Sequence, residues 1–133
     1  MWKCKKCKRE FHHKNQWHSC VKISVWGHFK SSPKLRRVFS KLVRELKKET
    51  NVKIDAVRTG INFANKGHFA MAFVRRDRLK IDFLLDRALK DKRIRKIRRI
   101  GSKFINYAEL GDEKDVDKKF ISWLKEAYAQ KSI

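Results

Sequence analysis

The chain has 133 residues, 41% of them hydrophobic and 38% charged, and its 36 basic and 14 acidic side chains leave a formal charge of +22. That length holds one compact domain and a small appendage but not two full domains; five Gly and one Pro exclude long flexible linkers and low-complexity tracts. A surface so charged repels itself unless a polyanion offsets it, so the expected partner is nucleic acid, DNA or RNA, or else an anionic membrane surface.

No run approaches the ~18 apolar residues that span a bilayer. The basic start, Met1 to Arg9, leads into His and Asn rather than an apolar segment. Neither a signal peptide nor a membrane-spanning segment is therefore expected, and nucleic acid rather than a membrane is the expected partner. Three cysteines, all before residue 21, cannot pair evenly. They predict a reducing, cytoplasmic location, with metal as the use of the thiols.

Residues 1–22 read as a zinc-binding module and residues 23–133 as an α+β domain. In the module the spacing is Cys4-x2-Cys7-x10-His18-x-Cys20. Two cysteines separated by two residues chelate from one tight knuckle turn, and His18 with Cys20 closes the tetrahedron. Lys5, Lys6, Lys8 and Arg9 favour the thiolates that zinc requires. Four protein ligands leave no open position, so the expected site is structural and activates no water. His13 is the alternative to His18, since His12 and His13 also lie inside the loop. Phe11 and Trp17 are the expected apolar cluster beneath the metal.

Ser32 and Pro33 read as N-cap and first residue of a helix. Leu35, Val38, Phe39, Leu42, Val43 and Leu46 then form one apolar stripe, with Arg36, Arg37, Lys41, Arg44 and Lys47 off it. From Val52 the period changes to two, with Val52, Ile54 and Ala56 predicting a strand and Ile61 to Ala64 a shorter apolar segment. Phe69 to Val74 is continuously apolar, as a strand covered on both faces would be. Asp77-Arg78 supplies a turn into Leu79, Ile81, Phe83 and Leu85, completing a hairpin. Asp86 to Ile100 carries only Ile94, Ile97 and Ile100 at three-residue spacing, which fits a short helix or an irregular basic connection. Phe104 to Leu110 predicts a last strand. Asp112 is the expected cap of a final helix that buries Val116, Phe120, Trp123, Leu124 and Ala127. The predicted fold is α+β: a zinc knuckle, then a mostly antiparallel sheet with two helices packed on one face.

Charge is segregated. Thirteen Lys/Arg and one carboxylate precede Glu45, while five of the 14 carboxylates lie between Glu109 and Asp117. Lys5, Lys6, Lys8, Arg9, Lys14, Arg36, Arg37, Arg93, Arg95, Lys96, Arg98 and Arg99 are the expected phosphate contacts, giving an affinity that falls steeply with salt. Trp2, Trp17 and Trp26 lie among basic residues and are candidates for stacking on bases, or for packing. Enzyme signatures are weak: there is no Gly-rich phosphate loop and no Gly-x-Ser-x-Gly elbow. Asp82 is expected to pair with Lys80 or Arg78 on a solvated face. The leading expectation is a non-catalytic nucleic-acid-binding protein. The alternatives are a small-anion-binding or enzymatic domain, with a pocket at Arg58, Arg75, Arg76 or Arg78, and a protein-interaction module.

Trp2 to Phe11 and Lys14 to Cys20, Trp26-Gly27-His28-Phe29, Thr59 to Phe63 with Phe69-Ala70, Arg93-Ile94, Asp115-Val116-Asp117 and Trp123 to Tyr128 together span nearly the whole chain. On those segments it resembles an uncharacterised family of small bacterial and archaeal domains that carries a domain-of-unknown-function label, sometimes called a predicted transport protein. The resemblance implies a small α+β domain with a zinc-binding N-terminus and no established reaction. Many relatives carry a His pair in the last strand, where this chain has Asn106-Tyr107, so histidine-dependent chemistry is not expected there.

Overall fold

The computed structural model describes residues 2–6, 8, 10–11, 13–15, 24–30 and 32–130. Cys7, Arg9, Trp17, His18 and Cys20 lie outside the described residues. At the N-terminus two short strands, β1 (Trp2–Lys3) and β2 (Glu10–Phe11), pair antiparallel, Trp2 opposite Phe11. A 3-10 turn, Val25–Phe29, leads to helix α1 (Pro33–Lys47).

Pro33 opens α1 as its sequence position predicts. Ser32 occupies the cap position, but its side chain makes no capping bond. The cap is made by backbone alone: the Ser32 amide donates to the Phe29 carbonyl and the Ser32 carbonyl accepts from Arg36, both at 3.0 Å. Leu35, Val38, Phe39, Leu42 and Leu46 are buried as the stripe requires.

Six strands follow: β3 (Lys53–Val57), β4 (Gly60–Ala64), β5 (His68–Arg75), β6 (Arg78–Leu85), β7 (Ile94–Ile100) and β8 (Lys103–Leu110). They form one antiparallel sheet in the order β3-β4-β5-β6-β8-β7. Helix α2 (Lys118–Gln130) returns across it. Both helices pack on the same face. Phe39 of α1 meets Phe63 edge-on at 5.9 Å, and Phe83 of β6 meets Phe120 and Trp123 of α2. Ile61, Phe63, Ala72, Leu79, Ile81, Phe83, Leu85, Ala108 and Leu110 complete this core, each at most 1% exposed. At ~1.5–3 kcal/mol per buried large aliphatic or aromatic side chain, this layer is the main favourable term in folding. Asn106 is buried within it, and is satisfied by the Leu89 amide at 3.0 Å and the Arg87 carbonyl at 3.2 Å.

Four local expectations are corrected. Residues 94–100 form an edge strand rather than a helix or irregular connection. A bulge between Ile94 and Lys96 puts Ile94 and Ile97 on the helix side despite their odd spacing, which disguises the strand period. The β5–β6 turn is Arg76-Asp77, one residue earlier than expected, because Arg75 pairs with Arg78. Asp112 caps the 3-10 turn Glu113–Asp115 through the Lys114 amide, whereas α2 is capped by Asp117, whose Oδ1 accepts from the Phe120 amide at 2.8 Å. Finally, β5 is not covered on both faces. Ala70 and Ala72 are buried under the helices, while Met71 and Phe73 are half-buried on the side the helices leave open.

Candidate functional site

Cys4 is buried, and its carbonyl accepts from the Lys8 amide at 2.9 Å. Lys8 adopts a left-handed backbone with φ of 65° immediately after Cys7, which folds the chain back into β2. Trp2 lies against Phe11, ring centroids 5.9 Å apart. Among the described residues no three His, Cys, Asp or Glu side chains gather in a metal-binding group; three of the four expected ligands lie outside that set.

The expected basic residues fall on three sides of the molecule. Lys5, Lys6, Lys8 and Lys14 are exposed on the N-terminal segment, which meets edge strand β3 through an ion pair of Lys53 with Glu10 at 3.3 Å. Arg36 and Arg37 are exposed on the helix layer, and the Arg36 guanidinium lies 4.7 Å from the Trp26 ring centroid. Trp26 is 42% exposed and also packs edge-on against Phe39. Arg95, Lys96, Arg98 and Arg99 are exposed along β7, the opposite edge of the sheet.

Arg93 departs from this set. It is 8% exposed, with Nε and Nη2 donating to Asp91 at 2.9 and 3.2 Å and Nη1 donating to Asp117 Oδ1 at 2.9 Å and the Asp115 carbonyl at 2.8 Å. Its guanidinium lies 5.0 Å from the Trp123 ring centroid. With four of its five N–H donors engaged internally and its side chain buried, it is a structural residue and not a phosphate contact, correcting the expectation from its place in a basic run. The same hydrogen bond from Arg93 holds the Asp91 carboxyl well below the usual carboxylate range.

The open face of the sheet was not singled out from sequence. Strand register places Phe73, Lys80, Asp82, Tyr107 and Lys96 on it together: Phe73 opposes Lys80, Asp82 opposes Tyr107, and Tyr107 opposes Lys96. Lys80 Nζ lies 5.7 Å from the Phe73 ring centroid and 5.2 Å from that of Tyr107. Lys96 Nζ lies 5.6 Å from the Tyr107 ring, and the Arg75 guanidinium 5.4 Å from the Phe73 ring. Beside Tyr107, a depression of about 200 Å³ is lined by Lys80, Arg95, Lys96 and Glu109. The signal in the sequence was the alternation of Lys80 and Asp82 with the core residues of β6, which marks the reverse face as solvated.

Gly60 makes the position of Phe73 possible. A Cβ there would stand 2.7 Å from the Ala72 carbonyl oxygen and 3.1 Å from Phe73 Cδ1, so the ring lies down over the glycine. Asp82 is not ion-paired with Lys80 or Arg78 as expected. It is half-buried, and its Oδ1 has no hydrogen-bond partner. Burial pushes its carboxyl above the usual range, with Lys80 and Arg75 pulling weakly the other way.

Arg58, Arg75, Arg76 and Arg78, named as a possible anion pocket, are exposed on the β3–β4 and β5–β6 turns and their flanks, at one end of the sheet. They extend the basic surface of the open face. No helix among the described residues is long and apolar enough to cross a membrane.

Arg93, Asp115 with Asp117, and Trp123, drawn from three of the stretches that carried the family resemblance, meet in the Arg93 cluster. No curated protein and no solved structure matches the sequence. The profile of one family, described as a domain of unknown function (DUF5655), matches residues 26–131. That span covers most of the chain and includes α1, the whole sheet and α2, and the chain belongs to this family.

Proposed function

We propose that the chain is a non-catalytic nucleic-acid-binding protein of a reducing, cytoplasmic compartment, engaging phosphates through the basic edge and open face of its sheet. The observation that carries this reading is the continuity of cations around Tyr107: Lys80 and Lys96 flank its ring, and Arg95, Arg98 and Arg99 continue along β7. An exposed sheet edge is commonly guarded by charge against pairing with other chains, but guarding does not require aromatic rings on the adjoining face. The +22 charge makes release of condensed counterions the main source of affinity.

The N-terminal segment adds a zinc knuckle in this reading, with Cys4, Cys7, His18 and Cys20 as ligands. Cys4 is buried beside a tight reversal, and thiolate and imidazole donors suit tetrahedral zinc. Bound zinc would supply folding energy to a segment too small to build its own core. Metal analysis of the purified protein checks this directly: one zinc per chain is expected, with loss of binding in Cys4→Ser, and a metal-free chain overturns it.

Nucleic-acid binding is tested by anisotropy titration against DNA and RNA at several salt concentrations. The expected result is affinity that falls linearly on a log–log plot, with a shallower slope when Arg95, Arg98 and Arg99 are replaced by Gln. Absence of binding at low salt, or affinity indifferent to salt, overturns the proposal.

A further inference from the structure

We infer that the open sheet face is a stacking platform for single-stranded nucleic acid, with Phe73 and Tyr107 receiving two bases that are not neighbours in a stack. This rests on the nucleic-acid reading above and specifies which form is bound and where. Phe73 on β5 and Tyr107 on β8 have β6 between them and are offset by two residues along it, Phe73 opposing Lys80 and Tyr107 opposing Asp82. With strands ~4.8 Å apart and a rise of ~3.3 Å per residue, their backbones are separated by about 12 Å. Bases in a duplex follow one another every ~3.4 Å along each strand and stay stacked. Only a strand whose bases can splay reaches both rings.

The width of the face points the same way. Six strands span about 24 Å at that spacing, twice the ~12 Å of the major groove, which admits a helix or a two-stranded ribbon. A duplex can touch this face only with its phosphates.

The rings are half-buried and carry lysines at cation–π distance, with Lys80 placed between them. Such a contact at an exposed site favours the closed arrangement about two- to fivefold. Stacking of a base on an aromatic ring is worth from about fivefold to over a hundredfold. The incoming base therefore displaces the ammonium group, which remains within reach of the phosphates of the same strand.

The experiment compares a fluorescein-labelled mixed-sequence DNA strand, the same sequence as RNA, and the DNA strand annealed to its complement. Each is titrated with the full chain, with Phe73→Leu and with Tyr107→Leu, whose folding is checked by thermal unfolding. Tighter binding of the single strands than of the duplex is expected. Each Leu variant should lose about fivefold or more for single strands by the stacking range, with duplex affinity unchanged. That loss should be constant across salt concentrations, because stacking releases no counterions, and Tyr107→Phe should restore affinity. The DNA and RNA arms distinguish the sugar. Equal affinity for duplex and single strand, or Leu variants that bind single strands like the parent, overturns the platform while leaving phosphate-led binding standing. Failure to bind any of the three probes at low salt overturns both.

Discussion

Arg93 and Asp117, 24 residues apart, meet through one oxygen: Asp117 Oδ1 accepts from Arg93 Nη1 at 2.9 Å and from the Phe120 amide at 2.8 Å. One carboxylate thus caps α2 and ties the entry of β7 to it. Asp91 holds the other edge of the same guanidinium, and Trp123 underlies it. Removing one partner of a buried ion pair costs ~3–5 kcal/mol. Asp117 is half-exposed, which places Arg93→Ala near the lower end, about 3 kcal/mol. Arg93→Lys should recover little, because an ammonium cannot span Asp91 and Asp117 as the planar fork does. Chemical denaturation of the three proteins checks this, and a loss below about 1 kcal/mol would reduce the cluster to a surface pair.

The Asp91 carboxylate gives that cluster a pH dependence. Its folded value is depressed, so its stabilisation is complete above the unfolded value of about 3.9 and is lost as pH falls below that towards the folded value. Asp91→Asn should therefore lower Tm at neutral pH, with a gap to the parent that stays constant down to about pH 5 and narrows below about pH 4. Thermal unfolding across this range reads the gap; one that widened on acidification would contradict the assignment.

Asp82 has the opposite sign. Its folded value is raised by burial, so the unfolded chain releases this proton first. The group becomes a growing penalty as pH rises from about 3.9 through the folded value, and the penalty persists above it. With one carboxylate oxygen lacking a partner and the residue half-exposed, relief by Asp82→Asn should be about 1 kcal/mol at pH 7. The gain should vanish below about pH 4, where both states are protonated. A lower Tm for the variant at pH 7 would show that the carboxylate is held by an interaction of its own.

Gly60→Ala tests the seat of Phe73. The obstruction is partly backbone, the Ala72 carbonyl oxygen, and cannot swing away as a side-chain end can. Overpacking of this kind costs ~1–3 kcal/mol. The ring should also be displaced from Gly60, which methyl and aromatic chemical shifts of Met71 and Phe73 would register. Unchanged stability and shifts would mean that β4 and β5 yield there without strain.

The α1 stripe, the β5–β6 hairpin and the buried face of α2 were legible because each places its apolar residues at the period of its own element. Strand β7 was not, since its bulge breaks the period and its side chains are almost all exposed. Arg93 was read with its basic neighbours because sequence reports the number of charges, while only the fold decides which of them face a carboxylate. Asp112 and Asp117 both had the chemistry of a cap, and the choice fell to where the preceding 3-10 turn ended.

By itself the sequence determined an α+β chain with two amphipathic helices, a central hairpin and a basic, cysteine-bearing start, because these are local patterns of periodicity and composition. Strand order is not local. The insertion of β8 between β6 and β7 brings Tyr107 alongside Asp82, within reach of Lys80, and two strands from Phe73. That juxtaposition, which turns scattered aromatic and basic residues into one surface, was decided only by tertiary pairing of residues far apart in the chain.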